Sequence, residues 1–106
     1  MKKIQIIETP IFTNDIDKLL SVEEFRKLQL ELVFLPEKGN LIKGAGGARK
    51  LRFGVSGKGK SGGIRIIYYY KHAERIYLLL AYKKAKQEEL TMQQKKSLKS
   101  LIERIK

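Results

Sequence analysis

Ile64-Arg65-Ile66-Ile67-Tyr68-Tyr69-Tyr70 has the composition of a strand, and after a turn at Lys71–Glu74 the chain returns as Arg75-Ile76-Tyr77-Leu78-Leu79-Leu80-Ala81-Tyr82-Lys83. β-Branched and aromatic side chains suit a pleated, half-buried surface. The returning segment is apolar on both faces, which puts it inside a sheet rather than at its edge. Immediately upstream, Arg49–Val55 alternates, with Leu51, Phe53 and Val55 on one side and Lys50 and Arg52 on the other. Gly57–Gly63 then joins this strand to Ile64 as a long basic hairpin tip, while Gly39–Gly47 reads as a turn-rich connection with nothing to pack.

Elements that can cover such a sheet lie on either side of it. Ile4–Glu8 reads as a first strand ending at Pro10. Phe12, Ile16, Leu19 and Leu20 share one face of a short helix, with Thr13 or Asn14 as its cap. Ser21-Val22-Glu23-Glu24 is a capping box, followed by a stripe of Phe25, Leu28, Leu32 and Leu35 that stops at Pro36. Thr91-Met92-Gln93-Gln94 is a second capping box, leading into Leu98, Leu101, Ile102 and Ile105. The order β-α-α-β-β-β-α predicts an α+β fold: a small antiparallel sheet with an N-terminal helical hairpin and a C-terminal helix, one domain spanning residues 1–106.

Charge gives the functional direction. The net charge is +12, and from Lys38 to Ala73 there are nine lysines and arginines and no acidic residue; all nine glycines lie between Gly39 and Gly63. A basic, acid-free, glycine-punctuated centre is built to meet phosphate, and nucleic acid is the first polyanion to consider. With no cysteine and a single histidine, disulfides and zinc sites are excluded, and no cofactor is called for. The longest apolar run, Ile76–Tyr82, falls well short of the roughly 18 residues of a membrane span, and the N-terminus lacks a signal-peptide core. A cytoplasmic protein without a membrane partner is expected.

Several tempting motifs fail on context. Gly54-Val55-Ser56-Gly57-Lys58-Gly59-Lys60-Ser61 matches the P-loop pattern. A P-loop works because a helix starts directly after it and aims N–H groups at the phosphates; here two glycines and a tyrosine-rich strand follow. His72 lies in the Lys71–Glu74 turn, where a solvated side chain lacks the positioned partners that acid–base catalysis needs. Tyr68, Tyr69 and Tyr70 alternate faces, so most of them are sheet packing with hydroxyls at the rim; Tyr82, next to Lys83 and Lys84, is the better functional candidate. Lys50 and Arg52 share a strand face, and Arg65 sits on the strand expected to pair with theirs. Cations converging on one face repel unless an anion joins them.

Taken together, Arg49-Lys50-Leu51-Arg52-Phe53, the glycine–lysine tip, Gly63-Ile64-Arg65-Ile66-Ile67-Tyr68-Tyr69 and Leu79-Leu80-Ala81-Tyr82-Lys83-Lys84 resemble the RelE/HigB-type toxins of bacterial type II toxin–antitoxin systems, the tip resembling the HigB-like branch. The resemblance covers nearly the whole chain. It implies a microbial-ribonuclease-like sheet with two N-terminal helices, and a ribosome-dependent endoribonuclease that cuts mRNA in the ribosomal A site. It implies mRNA and the ribosome with its rRNA as targets, a HigA/RelB-like antitoxin as partner, and a free toxin that is monomeric.

Carried over by position, the resemblance makes Lys50, Arg52, Arg65, Lys84 and Tyr82 the catalytic set. Lys43, Arg49, Lys58, Lys60 and Lys83 become contacts to RNA or ribosome. A tyrosine that the family often carries after its last basic residue falls near Leu90 here, so either Tyr82 takes that role or no tyrosine does. Lys84 replaces an arginine and gives up planar, bidentate phosphate contact. RNA brings its own nucleophile, the 2′-OH; crowding by like charge destabilises an ammonium, which makes Lys50 or Lys84 the candidate base, with Arg52 and Arg65 on the scissile phosphate. Two competing functions use the same charge: a non-catalytic basic RNA- or rRNA-binding module, and a DNA-binding regulator presenting Gln93, Gln94, Lys95, Lys96 and Lys99 from the C-terminal helix. The first does not need Lys50, Arg52 and Arg65 to converge; the second is opposed by that helix's apolar stripe.

Overall fold

The computed structural model describes residues 3–54, 63–71, 74–87 and 89–106. Its first strand, β1 (Gln5–Glu8), passes directly into α1 (Pro10–Leu19). The cap is Thr9, not Thr13 or Asn14: Thr9 Oγ1 accepts the Phe12 N–H at 3.0 Å and donates to the Leu79 carbonyl at 3.0 Å. Pro10 therefore starts the helix rather than ending the strand. Proline suits the first helical position because its missing N–H would be unpaired there anyway and its φ is preset. The second helix, α2 (Val22–Phe34), begins with both halves of its capping box formed. Leu28 and Leu32 are fully buried and Phe25 partly so, but Leu35 is the C-cap and is exposed, outside the expected stripe.

The remaining strands are β2 (Asn40–Leu41), β3 (Arg49–Phe53), β4 (Ile64–Lys71) and β5 (Arg75–Lys83), in the five-stranded order β1-β5-β4-β3-β2. The sheet is mixed rather than wholly antiparallel, because β1 pairs in parallel with β5 from Gln5↔Arg75 to Glu8↔Leu78. A parallel pair needs a long crossover, and here everything between β1 and β5 provides it. Two-residue β2 is an addition to the expected order. The Gly39–Gly47 connection is also not idle, since Ala45 is fully buried. Gly46 has φ +70°, and a Cβ there would sit 3.0 Å from Lys99 Cα on the last helix, α3 (Met92–Ile105). Only a glycine lets this loop lie so close to α3.

The sheet is covered on both faces. On one, Phe12, Ile16, Leu28 and Leu32 from the helical hairpin pack against Leu51, Ile64, Ile66, Tyr68, Ile76 and Leu78. On the other, Leu98 and Ile102 of α3 join Ala45, Ala48, Ile67, Tyr77 and Leu79. Each fully buried large side chain contributes roughly 1.5–3 kcal/mol. The α3 stripe is thus core, as its periodicity predicts, and its capping box is complete.

Between β4 and β5 the register slips once. Ile67 pairs with Leu80 but Tyr68 pairs with Leu78, so Leu79 is an extra residue on β5. Leu78 faces the helical hairpin, while Leu79, Leu80 and Tyr82 all face α3. The bulge reverses the alternation of β5, as one inserted residue must. The expected basic tip, with Val55, Lys58 and Lys60, and the turn residue His72 lie outside the described residues.

Tyr68 ties the hairpin to the sheet. Its fully buried ring carries a hydroxyl that donates to the Pro36 carbonyl at 2.8 Å and accepts the Gly39 N–H at 2.9 Å. Burial pushes this phenol above its ordinary range. Tyr68→Phe leaves both backbone groups unpaired and is expected to lower stability by about 1–3 kcal/mol in urea denaturation, with the far-UV circular dichroism unchanged.

Candidate active site

β3, β4 and β5 bring three side chains into one row. Arg52 pairs with Arg65, and Arg65 pairs with Tyr82. Residues directly opposite in an antiparallel pair hold their Cβ atoms about 4.5–5.5 Å apart on the same face, here the face that α3 covers. Lys50 is one step along, opposite Ile67. The expected convergence of positions 50, 52 and 65 is therefore met, and Tyr82 joins them through the bulge at Leu79.

Arg65 is the unusual member. Its side chain is buried, with only 7% of the residue accessible, and the hydrogen bond it makes is a long 3.5 Å donation to the Ile64 carbonyl. A guanidinium has five N–H donors in a planar fork, and among the described residues this long bond is the one seen for Arg65. The two ion pairs among the described residues are Lys38–Glu31 and Arg49–Glu37, and neither touches the row. Beside Arg65, the Tyr82 hydroxyl is buried and has no hydrogen-bond partner among the described residues. Burial pushes the Tyr82 phenol up, the Arg65 charge pulls it down and Glu89 raises it further. It stays protonated at neutral pH and so remains a donor.

Next to the row a cleft of about 520 Å³ opens, lined on its basic side by Lys38, Lys43, Lys50, Arg52 and Lys95, with the buried Leu90 in its wall and Glu89 at its rim. Lys43 is thus inside the same cleft as Lys50 and Arg52. Lys84 follows β5 at the Tyr82 end of the row, its N–H donating to the Gly63 carbonyl at 3.3 Å. Lys83 is elsewhere. It pairs with Ile64, whose side chain belongs to the helical-hairpin core, and it lines a separate hollow with Asp15 and Lys18 of α1.

Arg49 has a different occupation. Its guanidinium donates to the carbonyls of Gly39 at 2.8 Å and Glu37 at 3.1 Å and lies 3.8 Å from the Glu37 carboxylate, which locks the chain between α2 and β3. Lys58 and Lys60 lie outside the described residues. Sequence reading gave Lys95 only to the DNA-binding alternative and missed Glu89. The signal for Lys95 was its place in the first turn of a capped helix. Glu89 gave none, because it reaches the cleft only through the course of the loop after β5. That loop is fixed by Gln87, whose amide donates to the Glu89 carbonyl at 3.0 Å and to the side-chain oxygen of Gln94.

Chemically, the row and the adjoining cleft bring guanidinium groups, a phenol and lysine side chains to neighbouring positions on one sheet face. Two comparisons bear on it. The family model described as the RelE toxin of the RelE/RelB toxin–antitoxin system matches residues 35–106, the part of the chain that holds every residue of the row and cleft. A free-state structure of the Escherichia coli toxin RelE, with two arginines replaced by alanine, is similar in fold. Its TM-score is 0.60 at 18% identity over 96% of this chain and 97% of that one.

Two cations facing each other destabilise the unliganded protein by roughly 0.2–1 kcal/mol, and Arg65 adds a buried charge that makes no ion pair among the described residues. Arg65→Met keeps the aliphatic stem and removes the charge. It is expected to raise the melting temperature by a few degrees, about 4–8 °C per kcal/mol for a chain of this size. Sulfate should raise the melting temperature of the parent protein more than that of Arg65→Met. A variant that melts below the parent contradicts the reading of Arg65 as an uncompensated cation.

Proposed function

Because this chain belongs to the RelE toxin family of RelE/RelB toxin–antitoxin systems, we propose that it is a ribosome-dependent endoribonuclease that cuts mRNA in the ribosomal A site. The observation that supports this most is the row Arg52–Arg65–Tyr82, a buried cation flanked by a second cation and a buried phenol, with no ion pair to the row among the described residues. A surface that only binds RNA has no need of such a pocket.

Attack of the 2′-oxygen on phosphorus forms the O2′–P bond and breaks the P–O5′ bond, leaving a 2′,3′-cyclic phosphate and a 5′-hydroxyl. One proton must leave O2′ and one must reach O5′. Arg52 and Arg65 hold the non-bridging oxygens, where charge grows in the transition state. Tyr82 donates its phenolic hydrogen bond to the same phosphate. Proton transfer falls to Lys50, in the cleft with Arg52, with Lys84 at the other end of the row as second candidate. The scheme uses no metal or organic cofactor. Lys43, Lys58 and Lys60 contact ribosomal RNA and add salt-dependent affinity; Lys83 extends that contact on the opposite face, and Arg49 is left to its structural task. The toxin acts in the cytoplasm as a monomer, and a RelB-type antitoxin with an acidic segment covers the cleft.

Induction in bacteria, with 5′ ends of mRNA mapped and the same RNA incubated with and without ribosomes, tests this. Arg65→Ala is expected to abolish growth arrest, Tyr82→Phe to slow cleavage by about 10²-fold, and Lys60→Ala to weaken it mildly. Full toxicity of Arg65→Ala overturns the site assignment. RNA that is bound but never cut, in every arm, makes the protein a non-catalytic RNA-binding module.

A further inference from the structure

Glu89 is out of character with its surroundings. It is the acidic residue among those lining the cleft, facing Lys50 and Arg52 of β3, Lys43 of the β2–β3 connection and Lys95 of α3. Arg52, which lines that cleft with it, is the β3 member of the row and pairs with Arg65. Yet neither ion pair among the described residues uses it, and its side chain is exposed. The loop that carries it is held at both ends: Leu90 is buried in the core, and the Gln87 amide bonds the Glu89 carbonyl and Gln94. Gln94 is in turn the reciprocal half of the α3 capping box, accepting from the Thr91 N–H at 3.0 Å. A carboxylate has been placed firmly in a site that binds a polyanion, where it weakens binding.

We infer that Glu89 is the proton acceptor for the 2′-hydroxyl of the bound RNA. The inference rests on the nuclease reading and supplies the group that reading lacks. A carboxylate is a proton acceptor by its chemistry, and Glu89 lines the same cleft as Lys50 and Arg52. The step then balances. Glu89 takes the proton from O2′ as the O2′–P bond forms, the P–O5′ bond breaks, and the Lys50 ammonium gives a proton to O5′. Arg52 and Arg65 hold the phosphate throughout, and Tyr82 keeps its proton. Acceptor and donor reset by exchange with water once the products leave.

The test separates chemistry from binding. Single-turnover cleavage of mRNA on programmed ribosomes is measured beside the affinity for the same mRNA with a 2′-deoxy nucleotide at the cleavage site. Glu89→Gln is expected to slow cleavage by about 10²–10⁴-fold, the usual contribution of a general base. It should bind the uncleavable RNA as tightly as the parent or more so, and melt at the parent's temperature. Glu89→Asp should retain part of the activity. If Glu89→Gln cleaves as fast as the parent or faster, the carboxylate is no base and the inference fails while the nuclease reading stands. A parent protein that cuts no RNA at all fails the nuclease reading first, and the role of Glu89 with it.

Discussion

The site depends on one extra residue. Leu79 is unpaired in the β4–β5 ladder, and past it the side chains of β5 exchange faces. With strict alternation from Leu78, Tyr82 would point at the helical hairpin and Arg65 would face an aliphatic neighbour. The bulge turns Tyr82 onto the α3 face, opposite Arg65. The same residue serves the other side of the fold, since the Leu79 carbonyl accepts from Thr9, the residue that caps α1. A local irregularity in one strand thus fixes both the entry to the helical hairpin and the composition of the cationic row. Its leucine side chain goes to the α3 core, so the distortion is held by burial.

A row of like charges persists only if the backbone gives it no choice. Arg52 and Arg65 are held opposite each other by ladder bonds that are themselves backed by two cores, one on each face. A phosphate bound between them would offset that repulsion, and donors already held in place would need little reorganisation as charge built up on it. Arg49 and Lys50 show how finely the backbone separates tasks. They are adjacent, but one turns toward the carbonyls of Glu37 and Gly39 and is consumed in holding the chain, while the other faces the cleft.

Local patterns were legible in the sequence and long-range ones were not. Both capping boxes, the stripes of α2 and α3, the face shared by Lys50 and Arg52, and the centrality of β5 follow from spacing and composition, which act over a few residues. The pairing of Arg52 with Arg65 was legible because a hairpin has few registers. The parallel partnership of β1 with β5 was hidden, because nothing in Ile4–Glu8 says which edge it will find. β2 was hidden because two residues carry no period. Pro10 was read as a strand end, although the same residue followed by Phe12 and Ile16 also marks the first turn of a helix. The bulge left no trace because β5 is apolar on both faces, so a slip of one residue exposes nothing polar. Glu89 was hidden because an acidic residue outside the acid-free stretch gave no sign that the chain would fold it back to that stretch.

At 18% identity, the structure of the Escherichia coli toxin shares this architecture over nearly its full length, so what the two chains hold in common is a pattern of burial and pairing more than particular residues. A fold constrains where a site can be, and the chemistry must then be argued from the side chains that occupy it. Leu90 illustrates this. It is buried among Leu98, Ile102 and Tyr77, so the loop after β5 anchors itself by packing an aliphatic side chain, while the phenol of the row is on β5. Phenol and carboxylate therefore arrive from different elements, Tyr82 on a rigid strand and Glu89 on a loop clamped to the cap of α3. Had the loop supplied the phenol from position 90, the α3 core would have lost its first aliphatic contact. The division between strand and loop lets one short segment close the core and still reach the cleft.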